Sequence, residues 1–288
     1  MKDDKQHTGL DAIDRQSQAF FAGGTFRWKK SEAEVLAELD EQIRWQSSAR
    51  SFRLSMRMGA MAASFLLIVA LGSFLRFYST TVEVSVGTHQ LADLPDGSTV
   101  ELNAGSTLSY YPYWWRFKRI VTLEGEAFFD VQKGQKFVVR SSQGKTQVLG
   151  TSFNILARGD RYRVTCLSGS VRVSSKQNKQ VVLQAGGQAV VQPDGEIELR
   201  QNIETFPEIS WRDHVFVFTS TPIQAVFEEI ERQYGVTIQT DTTSEVFYTG
   251  NFTKEQNVED ILGYVCPAVG LKYIRKSPNL YFITQTNE

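Results

Sequence analysis

The segment LEGEAFFD places three carboxylates, Glu124, Glu126 and Asp130, at even spacings along a β-like pattern. Carboxylates that share a cleft can act as general acids and bases, so this group is a candidate catalytic cluster. Successive side chains of a strand alternate between its two faces, which puts all three on one face. We expect that face to be a solvated rim of the sheet rather than a catalytic cleft.

Other residue types that commonly carry catalysis are scattered along the chain. His7, His89 and His214 lie in different segments, and no H-E-x-x-H, G-x-S-x-G, C-x-x-C or phosphate-cradling glycine loop occurs. Cys166 and Cys266 are too few for a disulfide framework and are expected to be small buried hydrophobic residues. The sequence therefore predicts no conventional enzyme activity, no cofactor and no metal site.

Gly150 interrupts an alternating β pattern directly before Thr151, in the segment GKTQVLGTSFNILARGD of residues 144–160. A threonine hydroxyl can act as a nucleophile when a base removes its proton, so the pair is a candidate reactive site. Glycine here also permits a strand bulge or corner, since it adopts positive φ without strain. Both interpretations remain open from the residues alone.

Eighteen consecutive residues, 58–75, carry no charge, and an arginine stands at each end of the stretch. This length and an apolar character on all sides predict a transmembrane helix at 58–76. A cleaved signal peptide is disfavoured because 57 residues precede the stretch. Arginines are concentrated on its N-terminal side, so the positive-inside rule places the N-terminus in the cytoplasm; they are Arg44, Arg50, Arg53 and Arg57, against Arg76 after the stretch.

The predicted cytoplasmic segment, residues 1–57, contains one readable helix. Ser31 followed by Glu34 matches a capping box. Four apolar residues then recur at helical spacing and form a stripe; they are Val35, Leu36, Leu39 and Ile43. An isolated helix of this length is marginal in water, so we expect either a binding partner for the stripe or a helix that continues into the membrane span or folds back on FFAGGTFRW.

Residues 81–200 form a succession of short β patterns with turn signals about every ten residues, including Asp96-Gly97, and Gly125 between two predicted strands. This rhythm predicts an all-β sandwich, roll or solenoid. In residues 211–288 the spacing of apolar residues changes, and the pattern predicts the order strand, helix, strand twice. We expect a small α+β domain with duplicated βαβ units, which carries six Lys and Arg against ten Asp and Glu.

Several segments together resemble the FecR family of anti-sigma factors; they are LPDGSTVELNAGSTLSYY, LEGEAFFDV, VLGTSFNI, CLSGSVRV and AGGQAVV. The tail is similar to the short N-terminal domain of secretins and TonB-dependent transporters. The resemblance covers roughly residues 85–285. It implies a single-pass inner-membrane protein whose periplasmic domains sense a ligand-loaded outer-membrane TonB-dependent transporter. The cytoplasmic segment would bind an extracytoplasmic-function sigma factor.

The resemblance also implies a use for Gly150 and Thr151, because some members of this family cut their own chain between Gly and Thr at this motif. In an N-to-O acyl shift, attack of the Thr151 hydroxyl on the Gly150 carbonyl would break the peptide bond between them, free the Thr151 amine and give an ester that water hydrolyses. A second hypothesis is a membrane-anchored scaffold that binds a secretin-like ring through the same tail. The net charge of −1 without a basic patch favours no direct nucleic-acid partner.

Overall fold

A computed structural model of the chain describes residues 18, 22, 29–241 and 246–286. The chain divides into two units, Met1–Ala70 and Leu71–Glu288. The segment FFAGGTFRW and His7 lie outside the described residues, apart from Ala22. The predicted fold-back of that segment on the helix therefore lies outside the described residues.

Helix α1, Glu32–Phe77, is 46 residues long and begins at the predicted capping box. The backbone N–H of Ser31 donates to Glu34 Oε2 (2.9 Å), and the Glu34 N–H donates to Ser31 Oγ (3.3 Å). The helix continues without a break from the stripe into the apolar stretch, which is one of the alternatives expected from the sequence. Its part Met56–Phe77 is long and apolar enough to cross a membrane, with a mean hydropathy of 2.1.

Thirteen strands follow, and they belong to two sheets that share the long strand β5. The first half of β5 pairs with β4 and, in parallel, with β6, and its second half pairs with β3 and β8. The strands are β1 Thr80–Glu83, β2 Gln90–Asp93, β3 Thr99–Leu102, β4 Thr107–Tyr110, β5 Arg119–Asp130, β6 Phe137–Arg140, β7 Gly144–Val148, β8 Ser152–Arg158, β9 Arg161–Cys166, β10 Ser170–Ser175, β11 Gln180–Gln184, β12 Gln188–Val191 and β13 Ile197–Arg200.

Apolar side chains from both sheets meet in one core, which is why the alternating pattern of the sequence folds this way. Leu108 and Phe137 come from one sheet, Phe153 and Ile155 from the other, and all four are fully buried. Cys166 is also buried there as a free thiol, and Cys266 is buried in the C-terminal part, as expected for both. The β region is thus a pair of sheets packed on a shared hydrophobic core.

The expected turn at Gly125 is wrong, because residues 119–130 form a single strand with a bend. Gly125 has a φ of +111°, and a Cβ built on it would lie 2.6 Å from the Cα of Ser106. Ser106 Oγ bonds the backbone of the next residue, accepting from Glu126 N (2.9 Å) and donating to Glu126 O (3.0 Å). The glycine is needed for a bend that carries β5 from one sheet to the other.

The C-terminal part repeats the order strand, helix, strand, as predicted, but each helix connects two different sheets. Strands β14 and β16 pair antiparallel, while β15 pairs in parallel with β18, which pairs with β17. The elements are α2 Phe206–Ile209, β14 Val215–Pro222, α3 Ile223–Tyr234, β15 Thr237–Thr240, β16 Phe247–Thr253, α4 Val258–Ala268, β17 Leu271–Ser277 and β18 Leu280–Gln285.

The apolar stripes of α3 and α4 fill the space between these two small sheets. Ile223, Val226, Phe227 and Ile230 are buried on α3, as their helical spacing predicts. Helix α3 ends at Gly235, which adopts the left-handed conformation with a φ of +66°. The periodicity of the sequence therefore identified both the helix faces and the C-terminal stop of α3.

Candidate functional site

The apolar stripe of α1 is exposed. The exposed fractions are 38% for Val35, 61% for Leu36, 48% for Leu39 and 61% for Ile43. At about 100° per residue the four side chains fall within an arc of about 100°, which makes them one continuous face. Because exposed apolar surface costs about 25 cal/mol per Å², this face is a candidate binding surface for another protein.

Gly150 and Thr151 lie in the connection between β7 and β8. Gly150 has a φ of +154°, and a Cβ built on it would lie 2.7 Å from the Cα of Lys133. Thr151 is 4% exposed, and its backbone N–H and carbonyl both pair with Val131, at 3.2 and 3.1 Å. The glycine therefore forms a strand corner that approaches a neighbouring backbone, and the threonine is held in the sheet next to it.

The Thr151 hydroxyl donates to the carbonyl oxygen of Ser170 at 3.2 Å. Gly169 passes close by, since a Cβ built on it would lie 3.0 Å from Thr151 Oγ1 and 3.1 Å from Gly150 O. Within residues 29–241 and 246–286 no carboxylate or imidazole is hydrogen-bonded to this hydroxyl. A backbone carbonyl is a weak base, so the contacts around Thr151 favour a structural hydrogen bond over activation of a nucleophile.

Glu126 contradicts the expectation of a solvated rim, because it is only 7% exposed. Its Oε2 accepts from Asn103 Nδ2 and its Oε1 accepts from Asn154 Nδ2, both at 2.9 Å. The same face of β5 carries Phe128, which packs into the core of the C-terminal part. Glu124 and Asp130 on this face are exposed, as predicted. The C-terminal part covers the stretch between them, at Glu126 and Phe128.

Both asparagines extend this network into the C-terminal part. The Trp211 indole N–H donates to Asn154 Oδ1 at a long 3.4 Å, and Gln233 Nε2 donates to Asn103 Oδ1 at 2.8 Å. Gln233 Oε1 lies 3.2 Å from Nε2 of His89, whose ring stacks on His214 at 4.8 Å between centroids. Two histidines that are 125 positions apart in sequence thus meet at the contact between the two domains.

The pKa values of Glu126 and the nearby Glu229 are shifted in opposite directions. Burial raises the pKa of Glu126, and the negative charge of Glu229 raises it further. Burial also acts to raise the pKa of Glu229, but Arg232 and Arg158 outweigh it and lower that pKa. This cluster was not predictable from the sequence, because its members are far apart in the chain and no local motif links them.

We expect Glu126→Gln to change how stability depends on pH. A folded-state pKa above the ordinary 4.5 means that the native state binds more protons than the unfolded chain, so Glu126 makes stability fall as pH rises above about 4.5. The Gln variant has no carboxyl at this position, so its stability lacks this contribution to the pH dependence. Urea unfolding of both proteins from pH 4.5 to 8 should give a wild-type curve that falls relative to the variant; parallel curves would contradict the prediction.

A cleft of about 520 Å³ lies between β9 and β13 on one side and β14 and α3 on the other. Four arginines line it, and each of them is paired with a glutamate: Arg161 with Glu228 (2.5 Å), Arg163 with Glu208 (2.9 Å), Arg200 with Glu198 (2.8 Å) and Arg232 with Glu229 (2.9 Å). Among the described strands β14 pairs only with β16, so its other edge is open. An open strand edge beside a charged cleft can accept a strand from another protein.

The comparisons with known proteins agree with this architecture. The FecR protein family model matches residues 80–172, and the FecR C-terminal family model matches residues 215–282. A crystal structure of a protein assigned as an anti-sigma factor from Parabacteroides distasonis ATCC 8503 is 30% identical, with a TM-score of 0.66, over 72% of this chain and 100% of its own. A second crystal structure under the same description is 29% identical, with a TM-score of 0.67, over 73% and 100%.

No curated protein matches this chain closely enough to add to these comparisons. Two family models in the expected order, together with 30% identity over the full length of a solved relative, define the class of protein. The chain belongs to the FecR family of anti-sigma factors. An anti-sigma factor acts by binding a sigma factor, so the relevant sites are protein-binding surfaces rather than a catalytic centre.

Proposed function

We propose that this chain is a single-pass inner-membrane anti-sigma factor that relays a signal from an outer-membrane TonB-dependent transporter to an extracytoplasmic-function sigma factor. Residues 1–57 lie in the cytoplasm, residues 58–76 cross the membrane within the apolar helix Met56–Phe77, and the β region and the C-terminal part lie in the periplasm. The arginines before the apolar helix support this orientation.

The observation that carries the proposal is the exposed stripe of α1, which lies on the arginine-rich side of the apolar stretch. Binding of a sigma factor would bury Val35, Leu36, Leu39 and Ile43, whose exposure in the described structure leaves them without an apolar partner. The helix is already formed, so binding does not have to offset the entropy of forming it.

The open edge of β14 and the adjoining cleft are the proposed docking surface for the signalling domain of the transporter. Strand addition supplies main-chain hydrogen bonds, and the charged cleft adds electrostatic selectivity. Val217 lines the cleft in the middle of that strand. A photo-crosslinker placed at Val217 of the full chain should therefore capture the transporter domain.

Gly150 and Thr151 are proposed to hold a strand corner. The close approach of Gly150 to Lys133 and the hydrogen bond from Thr151 to Ser170 support this role. Self-cleavage between the two residues stays a prediction.

The orientation and the partner can be tested together. A reporter that is active only in the cytoplasm, fused before Ser31, should be active, and a reporter that is active only in the periplasm, fused after Glu288, should be active as well. The full chain, extracted in detergent, should co-purify the sigma factor. The opposite reporter pattern would overturn the orientation, and failure to co-purify would overturn the sigma-binding role.

A further inference from the structure

The connection between β4 and β5, residues 111–118, is rich in exposed aromatic side chains. Its sequence is YPYWWRFK, and Pro112–Trp114 form a 3₁₀ turn. Tyr113 is 55% exposed and Phe117 is 64% exposed. Large aromatic groups that remain open to water are unfavourable unless another surface covers them.

The charged side chains of this loop are all positive. Arg116 and Lys118 are exposed, and residues 110–119 contain no aspartate or glutamate. Aromatic rings with a polar edge, interleaved with arginine and lysine, are the composition found where proteins meet lipid headgroups.

The loop also lies beside the C-terminal end of the apolar helix. The guanidinium of Arg76 stands over the ring of Trp114, 4.9 Å from its centroid. The ring of Tyr113 lies 5.4 Å from that of Tyr78, and Trp114 lies 4.7 Å from Phe117. These contacts place the loop at the level where the candidate span Met56–Phe77 ends.

A cavity of about 480 Å³ opens next to the loop and is lined by Tyr113, Trp115, Arg116, Arg119 and Lys133, among others. Trp115 is 5% exposed, and its indole N–H has no acceptor within the described part of the chain. Arg119 pairs with Asp96 and donates to the Gln132 carbonyl (2.9 Å), but its Nε is likewise buried without an acceptor among those residues. The exposed basic side chains of Arg116 and Lys133 border this cavity beside the aromatic loop, and their positive charge suits an anionic group such as a lipid phosphate.

We propose that residues 111–118 insert into the headgroup region of the membrane leaflet at which α1 ends, so that the β region rests on the lipid surface. Tyr113, Trp114 and Phe117 supply the apolar contact. Arg116 and Lys118 pair with lipid phosphates. This inference rests on the proposed membrane crossing of Met56–Phe77.

Such a contact would make the membrane a second support for the periplasmic domains besides the helix itself. The short link between Phe77 and the start of β1 at Thr80 leaves little chain to absorb movement. A pull on the C-terminal part would then have to lift an aromatic anchor off the lipid before the domains could reorient.

The test uses the full chain in liposomes of phosphatidylglycerol and phosphatidylcholine, with a fluorophore on a single introduced cysteine. Phe117→Cys reports on the loop, Leu199→Cys on an exposed apolar site of β13, and Val69→Cys on the helix. The native thiols are buried, and burial raises the pKa of Cys166 to about 11 and that of Cys266 to about 12, so both react slowly. Lipids that carry a quencher either near the headgroup or deep in the acyl chains then report how deep each fluorophore lies in the bilayer.

We expect the label at 117 to be quenched severalfold more strongly by the headgroup quencher than the label at 199, and the label at 69 to be quenched by the deep quencher. Adding Arg116→Glu and Lys118→Glu should reduce the quenching at 117 in anionic liposomes. If the label at 69 is quenched and the label at 117 behaves like that at 199, the loop contact is refuted while the membrane crossing stands. If the label at 69 is not quenched either, the crossing itself is refuted.

Discussion

Replacing Leu39 by aspartate is expected to weaken binding of the sigma factor by about 2 kcal/mol or more, at least about 30-fold in Kd. Leu39 lies within the exposed stripe of α1 and is itself 48% exposed. In a complex that buries the stripe, the new carboxylate would lose its hydration without gaining a partner. Binding of the sigma factor to the detergent-extracted full chain, measured by titration, checks the loss.

The matched control for this change is Ala37→Asp. Ala37 is exposed on the same helix and lies about 150° around the axis from the centre of the stripe, so it adds the same charge outside the proposed interface. Circular dichroism of both variants should show the same helix content, because both substitutions lie within the same helix. Equal sigma-factor affinity of the two variants would show that the stripe is not the binding face.

The elements of this fold that depend on local pattern were predictable. The capping box of Ser31 and Glu34 forms as its spacing indicates. The buried faces of α3 and α4 follow from apolar residues at helical spacing, and the turn at Gly97 separates β2 from β3. In each case the residues that determine the structure are neighbours in sequence, so a short window contains the whole signal.

Features that depend on contact between distant segments were not predictable in this way. Period two puts Glu124, Glu126 and Asp130 on one face of β5, but the pattern contains no information about which faces the C-terminal part will cover. Phe128 packs with Trp211 in the core of the C-terminal part, and Glu126 is buried beside it. A polar residue on an alternating strand was therefore expected in solvent, and the tertiary contact overrode that expectation.

Gly125 and Gly150 illustrate the same limit for backbone geometry. A glycine inside a β pattern predicts an irregularity, but a turn, a bend and a corner have the same signal in sequence. At Gly125 the close neighbour is Ser106, and at Gly150 it is Lys133. Only the partner segment distinguishes a bend within one strand from a corner between two strands.

A buried polar network joins the β region to the C-terminal part. Asn103 and Asn154 of the β region bond both Glu126 and residues of the C-terminal part, Gln233 and Trp211. Separating the domains would leave these buried polar groups without partners until water replaced them, at a cost of about 1–3 kcal/mol for each such group. A partner that binds the C-terminal part therefore acts on a pair of joined domains rather than on a tethered module.

Gly150→Ala is expected to lower the free energy of unfolding of the β region by about 2–4 kcal/mol. The added methyl would lie 2.7 Å from the Cα of Lys133, which is backbone and cannot rotate away, and the φ of +154° is unfavourable for alanine. Urea unfolding followed by near-ultraviolet circular dichroism measures the loss. Gly263→Ala is the matched control, because nothing lies within 4 Å of its Cβ and alanine favours the helix it occupies, so that variant should be as stable as the wild type or more so.

Thr151→Ala separates the structural role of this corner from self-cleavage. As a structural residue, Thr151 contributes one buried hydrogen bond to Ser170, so its loss should cost about 1 kcal/mol and leave the chain length unchanged. Self-cleavage instead requires that the wild type and Thr151→Ser be recovered as two fragments that divide after Gly150, while Thr151→Ala stays whole. Intact mass of protein purified with protease inhibitors decides between them: full-length wild type excludes self-cleavage, and a wild type cut after Gly150 beside an intact alanine variant contradicts a purely structural corner.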